Sequence, residues 1–209
     1  VLTLDGTIAT ADIGNIVRNG GSVRLAADLD NTGDILMFDN STGNWELYGG
    51  VITGGTVAYS QGAELEFNSS TANRLDGVTL NGELHLYSGD YLELYGGSTF
   101  ATARLTHDIY SAGTLAFEPG STVPGDIFVD GAGTYRMYLF VDGTGTLTIP
   151  AGVTVDASPT SSSASLYLGN GGDTIINQGT IQADNGIVRV QPDSFTNKNT
   201  VDVTGVDAT

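Results

Sequence analysis

Apolar and polar residues alternate with a period of two along most of the chain. No stretch of ten or more residues carries apolar positions at helical spacing. Short runs of this alternation predict strands at Leu2–Leu4, Thr7–Ala9, Ser22–Ala26 and Ile35–Phe38. Asp5-Gly6, Asn19-Gly20-Gly21 and Asn31-Thr32-Gly33-Asp34 separate them as turns. Asp12–Arg18 reads as one helical turn, placed as a cap. The pattern is strongest from Trp45 to Phe100, where it assigns faces. Trp45, Leu47, Leu65, Phe67, Leu84, Leu86, Leu92 and Leu94 point inward. Glu46, Tyr48, Glu64, Glu66, His85, Tyr87, Tyr91, Glu93 and Tyr95 point outward. Stacked in one sheet, these strands would carry rows of Tyr and Glu on the outer face.

One unit is written twice near the C-terminus. Ile175-Ile176-Asn177-Gln178-Gly179-Thr180-Ile181-Gln182-Ala183 is followed, 20 residues on, by Phe195-Thr196-Asn197-Lys198-Asn199-Thr200-Val201-Asp202-Val203. Apolar falls on apolar, Asn on Asn and Thr on Thr. Gly179 falls on Asn199, which predicts a corner with one left-handed residue. A strand, a tight corner and a second strand at a fixed period mark a stacked coil. The whole chain, residues 1–209, therefore reads as one all-β domain: a parallel β-helix, or β-solenoid, of roughly eight to ten coils with about 20–24 residues each. Spacing alone leaves its handedness open. Strand patterning resumes at Ser165–Leu168 directly after the polar loop Ser158–Ser163, so no domain boundary is expected there.

Two further echoes stand out. Glu46-Leu47-Tyr48-Gly49-Gly50 returns 47 residues later as Glu93-Leu94-Tyr95-Gly96-Gly97, a spacing of about two coils. Phe128-Val129-Asp130-Gly131-Ala132-Gly133-Thr134 returns 12 residues later as Phe140–Thr146. The strand Tyr135–Val141 between them sets Arg136, Tyr138 and Phe140 against Tyr135, Met137, Leu139 and Val141. Neither face is polar, so a neighbour is expected to cover one of them.

Net charge is −17, from 24 acidic and 7 basic residues. Nucleic acid is a poor partner for such a surface, because phosphate binding needs clustered Lys and Arg. Anionic lipid is disfavoured for the same reason, and no run is long and apolar enough for direct membrane insertion. With no cysteine, disulfides, thiolate catalysis and cysteine-ligated zinc are excluded. The chain begins mid-pattern at Val1-Leu2-Thr3-Leu4 and stops just after the strand-like Val201-Asp202-Val203, as a mature portion or segment of a longer chain would.

The run Ile176-Asn177-Gln178-Gly179-Thr180-Ile181, followed by Phe195-Thr196-Asn197-Lys198-Asn199-Thr200-Val201, resembles the coils of bacterial autotransporter and haemagglutinin-type adhesins over Thr174–Thr204. The resemblance implies a right-handed parallel β-helix on a bacterial cell surface. An export signal and a membrane barrel, which complete members have, are not visible here.

The outward set Glu46, Tyr48, His85, Tyr87, Tyr91, Glu93, Tyr95, Arg136, Tyr138 and Phe140 is the candidate contact face. Exposed aromatic rings beside carboxylates suit sugar rings and their hydroxyls, or another protein. Candidate calcium ligands are Asp39 and Glu46 around the Gly43 turn, Asp130 with Asp142, and Asp173. Asp173 lies in Gly169-Asn170-Gly171-Gly172-Asp173, a partial match to glycine-aspartate coil repeats that bind Ca²⁺. Otherwise no cofactor is expected.

His85 and His107 read as surface residues. There is no nucleophile elbow, phosphate loop or zinc-protease motif, and basic residues are too few for a lyase-like site. No catalytic residue is assigned. The Asn40-Ser41-Thr42 and Asn68-Ser69-Ser70 sequons are short enough to arise by chance. Thr144, Thr146 and Thr148 suit an ice-binding strand, but no regular threonine array on successive coils is apparent. The expected role is an extracellular structural or adhesive module, a stalk or self-associating fibre subunit. Its partners would be other copies or a host or cell-surface glycan or protein. The alternative is a polysaccharide-binding or polysaccharide-degrading β-helix protein.

Overall fold

The computed structural model describes residues 1–107, 111–131, 136–158, 165–184 and 186–204. It is an all-β chain of parallel strands stacked as a β-solenoid of about 8 turns. The only helix among the described residues is Thr10–Ile13, shorter than the predicted turn and starting before it.

Each coil visits three faces in turn. Face one is a four-stranded sheet (Leu2–Leu4, Val23–Leu25, Trp45–Leu47, Leu65–Phe67) and then a six-stranded sheet. The six are Glu83–Tyr87, Thr102–His107, Asp126–Gly131, Thr154–Ala157, Thr180–Asp184 and Thr200–Thr204. Face two is one nine-stranded sheet: Thr7–Ala9, Asp28–Asp30, Val51–Thr53, Arg74–Asp76, Tyr91–Tyr95, Gly113–Phe117, Arg136–Val141, Ser165–Leu168 and Ile187–Val190. Face three holds Ile35–Phe38, Thr56–Tyr59 and Thr79–Asn81, then Thr146–Ile149, Thr174–Asn177 and Ser194–Asn197.

The core follows from the alternation. A single coil has too little inner surface to exclude water, so like residues stack in columns along the axis. On face two, Leu29, Ile52, Leu75, Leu94, Phe117 and Val141 are successive Cα partners, and all are buried. On face one, Leu84, Ala103, Ile127, Val155 and Ile181 do the same. Every inward assignment made for Trp45–Leu94 is met. The C-terminal register is also as read: Ile175 pairs with Phe195, Asn177 with Asn197, Thr180 with Thr200 and Ile181 with Val201.

Other expectations need correction. The coil step runs from 19 residues, where Arg74 pairs with Glu93, to 29, where Leu139 pairs with Leu168, because corner loops differ in length. The Glu46 and Glu93 copies do not stack on one sheet. The first lies on face one and the second on face two. The Asp130 and Asp142 echo joins strands on adjacent faces of the same coil, so those two carboxylates point away from different sheets.

Gly179 and Asn199 are not left-handed; Gln61 is the one non-glycine residue with positive φ among the described residues. Gly179 is needed for space instead. A Cβ there would stand 2.2 Å from the Val153 carbonyl oxygen and 2.5 Å from that of Pro150. His107 is buried rather than a surface residue. A partial hydroxyl array also exists after all, since Thr146 stacks with Thr174 and Ser194, and Thr154 with Thr180 and Thr200. Tyr135, Ala132–Thr134 and most of the Ser158–Ser163 loop lie outside the described residues.

Candidate functional site

The outward residues group by face, and arginine organises each group. On face one, Arg24 is the Cα partner of Glu46 on the next coil. Its Nε lies 2.6 Å from Glu46 Oε2, and its guanidinium carbon 4.5 Å from the Tyr48 ring centroid. Face two repeats this unit. Arg74 partners Glu93, with Nη2 2.6 Å and Nε 2.9 Å from Glu93 Oε2, and lies 4.0 Å from the Tyr95 centroid. The Glu-Leu-Tyr echo therefore encodes a local device rather than a coil repeat. One strand offers a carboxylate and a ring on the same side, and an arginine from the preceding coil fills the gap between them.

The second copy is the tighter one. Glu93 is only 5% exposed although it points outward, because Arg74 and its aromatic neighbours cover it. The Tyr91 hydroxyl lies 3.5 Å from Glu93 Oε1, and burial beside that carboxylate pushes the Tyr91 phenol up to about 12. The Tyr95 hydroxyl donates to Asp142 Oδ2 at 2.5 Å across two coils. This bond, with burial, raises its pKa to about 12. Asp142 is thus engaged by tyrosine, not by Asp130.

Further along the same sheet, Tyr91, Thr114, Tyr138, Tyr167 and Arg189 form one column of successive Cα partners. The Tyr138 and Tyr167 rings are 5.3 Å apart and tilted by 46°. Arg136 lies 4.8 Å from the Tyr167 centroid and Arg189 lies 5.7 Å from it, on the coils before and after. Phe140 stands half-buried beside this column. The strand with two apolar sides is covered by its own solenoid: Met137, Leu139 and Val141 face the core, while Tyr138 packs on Tyr167. Arg136 was in the expected contact set, whereas Tyr167 and Arg189 were missed in the sequence, because a 29-residue step separates Tyr138 from Tyr167.

His85 and Tyr87 belong to face one, with ring centroids 5.3 Å apart. His85 Nδ1 lies 3.2 Å from Glu64 and Nε2 lies 3.7 Å from Glu83. Arg104, the Cα partner of His85, bridges Glu83 at 3.1 Å and Asp130 at 2.6 Å. At the following corner Asp90 is nearly buried, and its carboxyl is pushed up to about 7. Burial is the main cause, reinforced by Glu66, Glu46 and Glu64 and opposed by the Tyr87 N–H that donates to it.

The predicted contact set is therefore divided. Tyr91, Glu93, Tyr95, Arg136, Tyr138 and Phe140 share face two, whereas Glu46, Tyr48, His85 and Tyr87 lie on face one.

Of the calcium candidates, Asp39 Oδ1 accepts from the N–H and hydroxyl of both Ser41 and Thr42, closing its own turn. Those bonds hold the Asp39 carboxyl below its usual range. Glu46 and Asp130 are paired with arginines. Among the described residues, no three His, Cys, Asp or Glu side chains come together as a metal cluster. No helix among them is long and apolar enough to cross a membrane. No protein-family model, curated protein or solved structure matches this chain.

Proposed function

We propose that this chain is a non-catalytic structural and adhesive module at the outside of a bacterial cell, a rigid unit of a stalk or fibre. It would dock through the outer side of face two. The observation behind this reading is the in-register column Tyr91–Thr114–Tyr138–Tyr167–Arg189 flanked by Arg136. Parallel strands hold its rings and guanidiniums in place before any partner arrives, which lowers the ordering cost of binding.

The partner that fits is a second copy. The tyrosine column on face two is bordered by Arg136 and Arg189, two of the seven basic residues in a chain of net charge −17, whereas Asp28, Asp30, Asp76 and the Arg74–Glu93 pair lie on earlier strands of that face. Face one carries Glu46, Glu66, Glu83, Asp126, Asp130 and Asp156 outward, against Arg24 and Arg104. An arginine–tyrosine patch meeting the acidic face of another copy is a head-to-tail contact, and such contacts build open filaments rather than closed dimers.

Sedimentation at about 100 μM should show association that weakens as salt rises, since the Debye length falls from ~10 Å to ~3 Å between 0.1 and 1 M. Tyr138→Ser combined with Tyr167→Ser should leave monomer. A wild-type chain that is monomeric at low salt rejects the fibre reading.

A second reading is favoured by the guanidiniums beside the half-buried Tyr138 ring and the buried Tyr167: a glycan chain stacking on Tyr138, with its hydroxyls bonded at the border. Glycan-array binding that is lost with Tyr138→Ser and Tyr91→Ala would support it. Cleavage of the bound polysaccharide would replace both readings with an enzyme.

A further inference from the structure

The corner Asn170–Asp173 holds two buried oxygen acceptors that the chain leaves unsatisfied. Asp173 is fully buried. Its Oδ2 accepts from the Asn170 N–H at 2.9 Å and from the Val141 N–H, one coil earlier, at 3.2 Å. Asp173 Oδ1 and Asn170 Oδ1 have neither solvent contact nor a hydrogen-bond partner. Among the described residues no ion pair includes Asp173.

The other buried corner side chains behave differently. Asn31, Asn73 and Asn177 each use both their amide nitrogen and their amide oxygen. Buried polar atoms almost always find partners, and a carboxylate oxygen stranded away from water is costly.

The corner is open on one side only, since a Cβ added at Gly169 or Gly172 would stand 2.9 Å from Pro192 or 2.7 Å from Thr144. A Cβ added at Gly171 would meet nothing nearer than Asp193 Oδ1, 4.0 Å away, contributed by the following coil. The Ser194 N–H donates to the Asp173 carbonyl at 3.2 Å, tying that coil to the same turn. Two carboxylates and a neutral amide oxygen thus come from one corner and its neighbour. Hard oxygen donors of this kind suit Ca²⁺, and so few charges suit a weak site of the extracellular class, with Kd of about 10⁻⁴–10⁻³ M.

We propose that this corner is a calcium site, with Asp173 Oδ1 and Asn170 Oδ1 as inner ligands and Asp193 as the second carboxylate. The ion clamps three successive coils, because Asp173 is bonded to Val141 below and Ser194 above.

The test is thermal unfolding of the full chain in ~10 mM CaCl₂ against chelator at matched ionic strength, together with displacement of Tb³⁺ luminescence by Ca²⁺. Calcium should raise the wild-type Tm by roughly 5 °C. Asp173→Asn should abolish that rise. Because Asp173→Asn is the variant most at risk of failing to fold, Asn170→Ala and Asp193→Asn serve beside it. Each should weaken Tb³⁺ and Ca²⁺ binding about tenfold while leaving Tm in chelator within about 2 °C. An unchanged wild-type Tm overturns the proposal, and is the outcome expected if a rotated Asn170 amide donates to Asp173 instead. A calcium response kept by all the folded variants also overturns it, since the ion would then lie elsewhere on the acidic surface.

Discussion

Asn177 donates from its side-chain amide to the side-chain oxygen of Asn197, its Cα partner one coil further on, at 2.8 Å. The same amide donates to the Thr200 carbonyl at 2.9 Å, while the Asn177 oxygen accepts from the Gly179 N–H at 3.1 Å. At a corner the backbone leaves the ladder, and its N–H and C=O groups lose their usual partners. A buried asparagine carries one donor group and one acceptor, and so replaces both. Asn73 does this at another corner, accepting from Gly49 N–H and donating to the Asn68 and Tyr91 carbonyls.

Asn177→Ala is therefore expected to cost about 2 kcal/mol, since it strands the buried Gly179 N–H and removes the bond to the Thr200 carbonyl on the next coil. Asn197→Ala, at an exposed position, is expected to cost under about 1 kcal/mol. Chemical denaturation of both variants checks the ranking; equal losses would show that burial of the corner amide is not what matters.

The two Arg–Glu–Tyr units give an internal comparison. Arg74→Met leaves the nearly buried Glu93 carboxylate uncompensated and is expected to cost about 3 kcal/mol. Arg24→Met, beside the more exposed Glu46, is expected to cost about 0.5 kcal/mol. Adding Glu93→Gln to Arg74→Met should recover much of the first loss, which a double-mutant cycle measures directly.

Gly179→Ala is expected to destabilise by about 2–3 kcal/mol, because the added Cβ meets two carbonyl oxygens of the preceding coil. Gly152→Ala faces empty space at φ +87° and should cost only about 1 kcal/mol. Thermal unfolding of the pair tests the distinction between lack of room and backbone strain.

Asp90 carries a pH signature. Its folded pKa of about 7 is above the ordinary carboxyl value of 3.8, so the folded state holds a proton that the unfolded state has lost in between. Its contribution to stability is therefore full below about pH 4 and falls as pH rises towards 7, by on the order of 3 kcal/mol. Asp90→Asn keeps an acceptor for the Tyr87 N–H and removes the charge. It should raise Tm at pH 8 and leave it unchanged at pH 4. A variant that tracks the wild type at both values would place the titration elsewhere.

Much of this architecture was readable in the chain. The inward columns followed from alternation, and the 20-residue echo at Ile175 and Phe195 became a register, because that step contains no corner loop of unusual length. The Glu46 and Glu93 echo misled for a related reason: a five-residue motif specifies a strand, an outward carboxylate and a ring, but not the face on which that strand lands. Glycine misled too, since left-handed backbone and lack of room both select it, and Gly179 serves the second.

The sequence by itself determined which side chains point to the axis, since period-two patterning is a property of each strand and a slip of one residue would expose its apolar side. Only the tertiary structure decided which outward side chains meet. Arg74 reaches Glu93 over a 19-residue step, whereas Tyr138 reaches Tyr167 over 29, and the corners that set those steps carry no periodic signal. The faces of this solenoid are thus encoded locally. Its candidate docking surface arises from the stacking of coils, where neighbours are chosen by the hydrogen-bond ladder rather than by distance along the chain.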